Sequence, residues 1–63
     1  MYIARIENGY CWVEDSATNQ RILNVPLGIS KPVAAEVQGD EVSVTDEKGY
    51  VVVYNIKSGL RVP

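Results

Sequence analysis

The most regular alternation of apolar and polar positions runs from residue 41 to residue 62. Val42 and Val44 alternate with Ser43 and Thr45, and Tyr50, Val51, Val52, Val53 and Tyr54 form a continuous β-branched and aromatic run. Both patterns predict strands, because such side chains pack well on a pleated surface. Asp46-Glu47-Lys48-Gly49 lies between them, and its glycine can take the positive φ that follows a type I turn, so the two strands are expected to form a hairpin. Ile56-Lys57-Ser58-Gly59 predicts a second turn, after which Leu60, Arg61 and Val62 resume the alternation as a short third strand.

Near the start, residues 2–7 and 10–15 also alternate, and only Asn8-Gly9 separates them. Asn-Gly between alternating segments is the strongest short-range hairpin signal, since a type I′ turn needs positive φ at both central residues. A two-residue loop fixes the register, with Glu7 opposite Tyr10, Ile6 opposite Cys11, Arg5 opposite Trp12 and Ala4 opposite Val13. One face then carries Tyr2, Ala4, Ile6, Cys11 and Val13 and fits a core. The other carries Ile3, Arg5, Glu7, Tyr10, Trp12 and Glu14. Two readings of this second face stand side by side. In one, Trp12 and Tyr10 are covered by another part of the same chain, with Arg5 stacked on Trp12. In the other, the face meets a partner, because aromatics and arginine are enriched among the residues that carry binding energy.

Residues 15–19 are rich in turn formers, and residues 20–25, with Ile22, Leu23 and Val25, predict a strand that Pro26 ends. The segment PLGISKP, residues 26–32, holds two prolines and a glycine and predicts an extended connection. Residues 33–37 are expected to form a strand, since Pro32 and Gly39-Asp40 leave too few residues between them for a stable helix.

Sliding the chain against itself by 40 residues brings Gly9 onto Gly49, Tyr10 onto Tyr50, Val13 onto Val53, Asp15 onto Asn55 and Arg21 onto Arg61. Residues 49–62, GYVVVYNIKSGLRV, resemble a β-propeller blade of the WD or a related kind, whose repeat has a similar period. The shared features are the glycine, the alternating strand, the aromatic followed by Asp or Asn, and the turn ending in glycine. Residues 9–22 are a degenerate copy. The resemblance implies a platform for protein partners, the usual role of that family. The family's Gly-His pair is absent, and one and a half blades do not close a propeller of four or more.

The expected architecture is a single all-β domain over residues 1–63, either a small barrel or an antiparallel sheet of five to six short strands. Half-repeats 1–25 and 41–63, joined by residues 26–40, leave room for pseudo-twofold symmetry. A sheet shared by several chains is a further option. The second hairpin has two registers open to it. If residues 46–49 are all loop, Val51 and Val53 face inward with Val42 and Val44, and Tyr50, Val52 and Tyr54 face outward. If Asp46 pairs with Tyr50, the faces swap. The repeat favours the first, because it matches Val51 and Val53 to Cys11 and Val13.

Length changes this picture most. A domain of 63 residues buries only about 60% of the surface its unfolded chain exposes. Such domains lean on disulfides, metals or a partner subunit, and with one cysteine and no histidine only association is left. Cys11 falls on the expected core face, where it acts as a small apolar residue. A lone thiol also suits a reducing, cytoplasmic setting. No basic-then-apolar leader is visible, and no apolar run approaches the ~20 residues that span a bilayer, so a membrane role is not expected.

Six Lys and Arg against eight Asp and Glu give a net charge of −2 with the signs interspersed, which makes nucleic acid an unlikely partner. Without histidine, Ser-His-Asp and Cys-His arrangements cannot be built. The acidic pairs Glu14-Asp15, Asp40-Glu41 and Asp46-Glu47 all fall at turns, where turn chemistry alone explains them. The glycines follow no phosphate-loop spacing. No catalytic residue, metal site or cofactor is therefore expected.

The sequence points to a non-enzymatic module for protein–protein interaction or homo-oligomeric assembly, with an interface of Trp12, Tyr10, Ile3, Val52 and Tyr54. The run at residues 50–54, apolar on both faces, suits a strand that is central or paired with another chain. The alternative is a small barrel that binds single-stranded nucleic acid or a small ligand through Trp12, Tyr10 and Arg5, with Arg21 or Lys48 adding positive charge in the nucleic-acid form.

Overall fold

A computed structural model describes residues 1–27 and 30–63. Asn8 and Gly9 both take positive φ, 51° and 81°, and so turn the chain between β1 (Tyr2–Glu7) and β2 (Tyr10–Asp15). Their register is the expected one, Glu7 opposite Tyr10 through to Tyr2 opposite Asp15. A four-residue turn leads to β3 (Gln20–Val25), with Asn19 at φ 59° and its N–H bonded to the Asp15 carbonyl at 2.7 Å. β3 pairs with β2 and completes a three-stranded antiparallel sheet. Part of the connection expected over residues 26–32 lies outside the described residues.

The second sheet is a four-stranded meander of β4 (Pro32–Gln38), β5 (Glu41–Asp46), β6 (Val51–Asn55) and β7 (Arg61–Val62). Residues 33–37 are thus strand, as expected. The last turn repeats the geometry of the turn before β3. Gly59 takes φ 73°, and its N–H bonds to the Asn55 carbonyl at 2.8 Å, so the residues 40 positions after Asp15 and Asn19 do the same work.

The turn between β5 and β6 corrects the expected register. The Asp46 N–H donates to the Tyr50 carbonyl at 2.9 Å, and the Gly49 N–H donates to the Asp46 carbonyl at 3.0 Å. Only Glu47, Lys48 and Gly49 are loop, with Gly49 at φ 89°, a type I turn closed by a glycine bulge. Val44 therefore opposes Val52, and Val42 opposes Tyr54. Val52 and Tyr54 pack against the core, and Val51 points outward, 56% exposed. The physical reason is the Asp46 side chain, which is buried and accepts the Lys48 and Tyr50 N–H groups at 2.9 Å each. A loop of four residues would forfeit those bonds.

The core lies between the two sheets. Cys11 and Val13 from β2 and Val42 and Val44 from β5 are fully enclosed, and Val25 and Ile56 nearly so. Tyr2 and Ala4 pack against them as expected, whereas Ile6, expected on the core face, is 38% exposed. β1 runs close beside β4, but no hydrogen-bonded ladder joins the sheets. Of the two expected architectures, the barrel is not closed among the described residues. These residues form seven antiparallel strands, β7 only two residues long, close to the expected five to six but in two sheets. The shortest dimension of the molecule, 16 Å, suits two layers spaced about 10 Å apart.

Candidate interaction face

Alternation puts Ile3, Arg5 and Glu7 of β1 and Tyr10, Trp12 and Glu14 of β2 on the side of the first sheet that faces away from the core. A bulge between Val13 and Glu14 shifts the pairing with β3, so that Glu14 opposes Arg21 while Trp12 opposes Asn24. Arg21 thereby joins the same face.

Arg21 organises it. Its guanidinium carbon lies 4.8 Å from the centre of the Trp12 ring, a cation–π contact. From there Nη2 reaches the Glu7 carboxylate at 2.9 Å, and Nε lies 3.5 Å from Glu14. Arg5 Nε donates to the other Glu14 oxygen at 3.0 Å. Two arginines and two glutamates thus close a charge-balanced network around one tryptophan. Trp12 is half-buried under it, while Tyr10 is 57% exposed and Ile3 41% exposed at its margin.

The structure brings together Ile3, Arg5, Tyr10 and Trp12 from the sequence-derived candidates. It separates Val52 and Tyr54 from them, since those two pack against the core, which corrects their place in the expected interface. It also corrects the stacking, because Arg21 covers Trp12 and Arg5 instead bonds Glu14. The sequence offered Arg21 beside this face only as an alternative to Lys48, and its place over Trp12 was not expected because alternation left the face of β3 unassigned. A four-residue turn from Asp15 to Gln20 was the available signal, since it sets Arg21 opposite Glu14.

Tyr10 borders a cleft of about 350 Å³ that is walled by Asn24, Val25, Pro26 and Leu27. Trp12 and Arg5 do not line it, so the cleft and the aromatic face are different features. Burial holds the Cys11 thiol above its ordinary pKa, the reverse of what a reactive thiolate needs. No group of three or more candidate metal ligands occurs among the described residues, and no helix there is long and apolar enough to cross a membrane. Comparison with protein-family models, curated proteins and solved structures finds no match.

Proposed function

We propose that this chain is a non-enzymatic assembly module that associates with other copies of itself through the outer face of β1–β3. The observation that carries the reading is Trp12 held under Arg21, with Tyr10 and Ile3 exposed beside it. Ion pairs at 2.9 and 3.0 Å order these long side chains in the free molecule, so association need not bear the full entropy of fixing them. Tryptophan, tyrosine and arginine are also the side chains that most often dominate binding energy.

Sedimentation equilibrium with Trp12 fluorescence on the same samples tests it. The wild type is expected to associate at micromolar concentration with a quencher-protected tryptophan, and Trp12→Ala to associate at least tenfold more weakly. A wild type that stays monomeric at high micromolar concentration, with Trp12 open to quencher, overturns the reading.

Single-stranded nucleic acid or a small ligand on Trp12, Tyr10 and Arg5 is the weaker reading. Both arginines are already bonded to carboxylates, so a phosphate must displace Glu7 or Glu14 to reach them. Tryptophan emission that responds to oligonucleotides at low salt would favour it over assembly.

A further inference from the structure

The two meanders are built alike but turn opposite faces to the core. In β1–β2 the two-residue turn makes Glu7 and Tyr10 the first hydrogen-bonded pair, and the inward pair Ala4 and Val13 lies three steps on. In β5–β6 the first hydrogen-bonded pair is Asp46 and Tyr50, and the inward pair Val44 and Val52 lies two steps on. Along an antiparallel ladder, hydrogen-bonded and non-hydrogen-bonded pairs alternate, and their side chains point to opposite faces. The first sheet therefore covers the core with its non-hydrogen-bonded face and the second with its hydrogen-bonded face. Superimposed as repeats, they stack like two plates facing the same way.

This stacking leaves one face of each kind open. The outer face of β1–β3, with Trp12, is the repeat equivalent of the core side of β4–β7, which already accepts a sheet. The outer face of β4–β7, with Ser43, Thr45, Val51 and Val53, is the equivalent of the core side of β1–β3, which already covers one.

From this we infer that copies of the chain dock head to tail, the outer face of β4–β7 of one copy on the outer face of β1–β3 of the next. The inference rests on the assembly reading above and specifies its second surface. The broad face of the molecule, 32 × 26 Å, has roughly the area that a standard interface takes from each partner, about 800 Å². The interface is heterologous and generates either a ring or a filament.

Two variants test this. Tyr10→Arg obstructs the accepting face and Val51→Arg the covering face; both positions are more than half exposed, and circular dichroism checks that each variant folds. Each alone is expected to sediment as a monomer where the wild type forms a ring or a filament, and an equimolar mixture as a one-to-one dimer and nothing larger. Trp12→Ala with Thr45→Arg repeats the test if either first variant unfolds. Self-association of the Val51→Arg variant alone overturns the head-to-tail arrangement, because two Trp12 faces then pair, while leaving the assembly reading intact. Self-association of the Tyr10→Arg variant alone overturns both, and so does a monomeric wild type. A mixture that stays monomeric although the wild type assembles overturns the head-to-tail arrangement alone.

Discussion

Two residues show how little spare stability this molecule has. Cys11 is enclosed beside Val13, and its thiol pKa is raised by the loss of hydration. A group whose pKa rises on folding stabilises the fold fully below its unfolded value and loses that contribution as pH climbs through the folded one. Urea midpoints are therefore expected to hold steady up to the ordinary thiol range, about pH 8.5, and to fall above it. Cys11→Ala should remove the part of that fall that the thiol causes. Asp46 is the buried acid among the described residues, and one of its oxygens accepts two backbone N–H groups at 2.9 Å. Asp46→Ala leaves both donors without that partner and is expected to cost about 2 kcal/mol in urea denaturation, a typical loss for hydrogen bonds to a charged group. Asp46→Asn, which keeps an acceptor oxygen, should cost less than half of that.

At the scale of elements, turns decide which face each strand presents. Asn8-Gly9 was legible because a two-residue loop with both φ values positive admits a single register, and the whole first hairpin followed from it. The second turn was not legible. Asp46-Glu47-Lys48-Gly49 satisfies the sequence rules for two loops, and the run from Tyr50 to Tyr54 is apolar on both faces, so it could not break the tie. The repeat pointed the wrong way because the two sheets turn opposite faces to the core, so Val51 and Val53 face outward where their equivalents Cys11 and Val13 face inward. Deleting Lys48 leaves Asp46 opposite Tyr50 across a two-residue loop, so Val52 and Tyr54 keep facing the core, but Glu47 must then take the positive φ of a type I′ turn. The variant is expected to keep its far-ultraviolet β signal at 25 °C and to melt about 4–8 °C lower. Loss of the β signal would count against the register given to this turn.

For the molecule as a whole, the all-β class and the hairpin order were readable from alternation, but the split into two sheets was not. That split depends on whether β1 and β4 exchange hydrogen bonds where they run side by side, and nothing in the side-chain pattern of either strand decides it. The core among the described residues is correspondingly small, six residues from three strands and one turn. At the usual margin per residue a chain of this length has about 3 to 9 kcal/mol in total. Binding that favours the folded state adds to this by mass action. The melting temperature is therefore expected to rise with protein concentration between about 1 and 100 μM, as differential scanning calorimetry can follow, and a value independent of concentration would speak against assembly.

The strand order has a kinetic consequence. Every hydrogen-bonded pair of strands joins neighbours along the chain, so each ladder can zip from its own turn, and hairpins do so in roughly 1–10 μs. No ladder waits on a distant segment, and none requires a strand from another molecule. Folding of the single chain and meeting of chains are then separate events in time. The first proceeds at a rate indifferent to dilution, and the second slows in proportion to it.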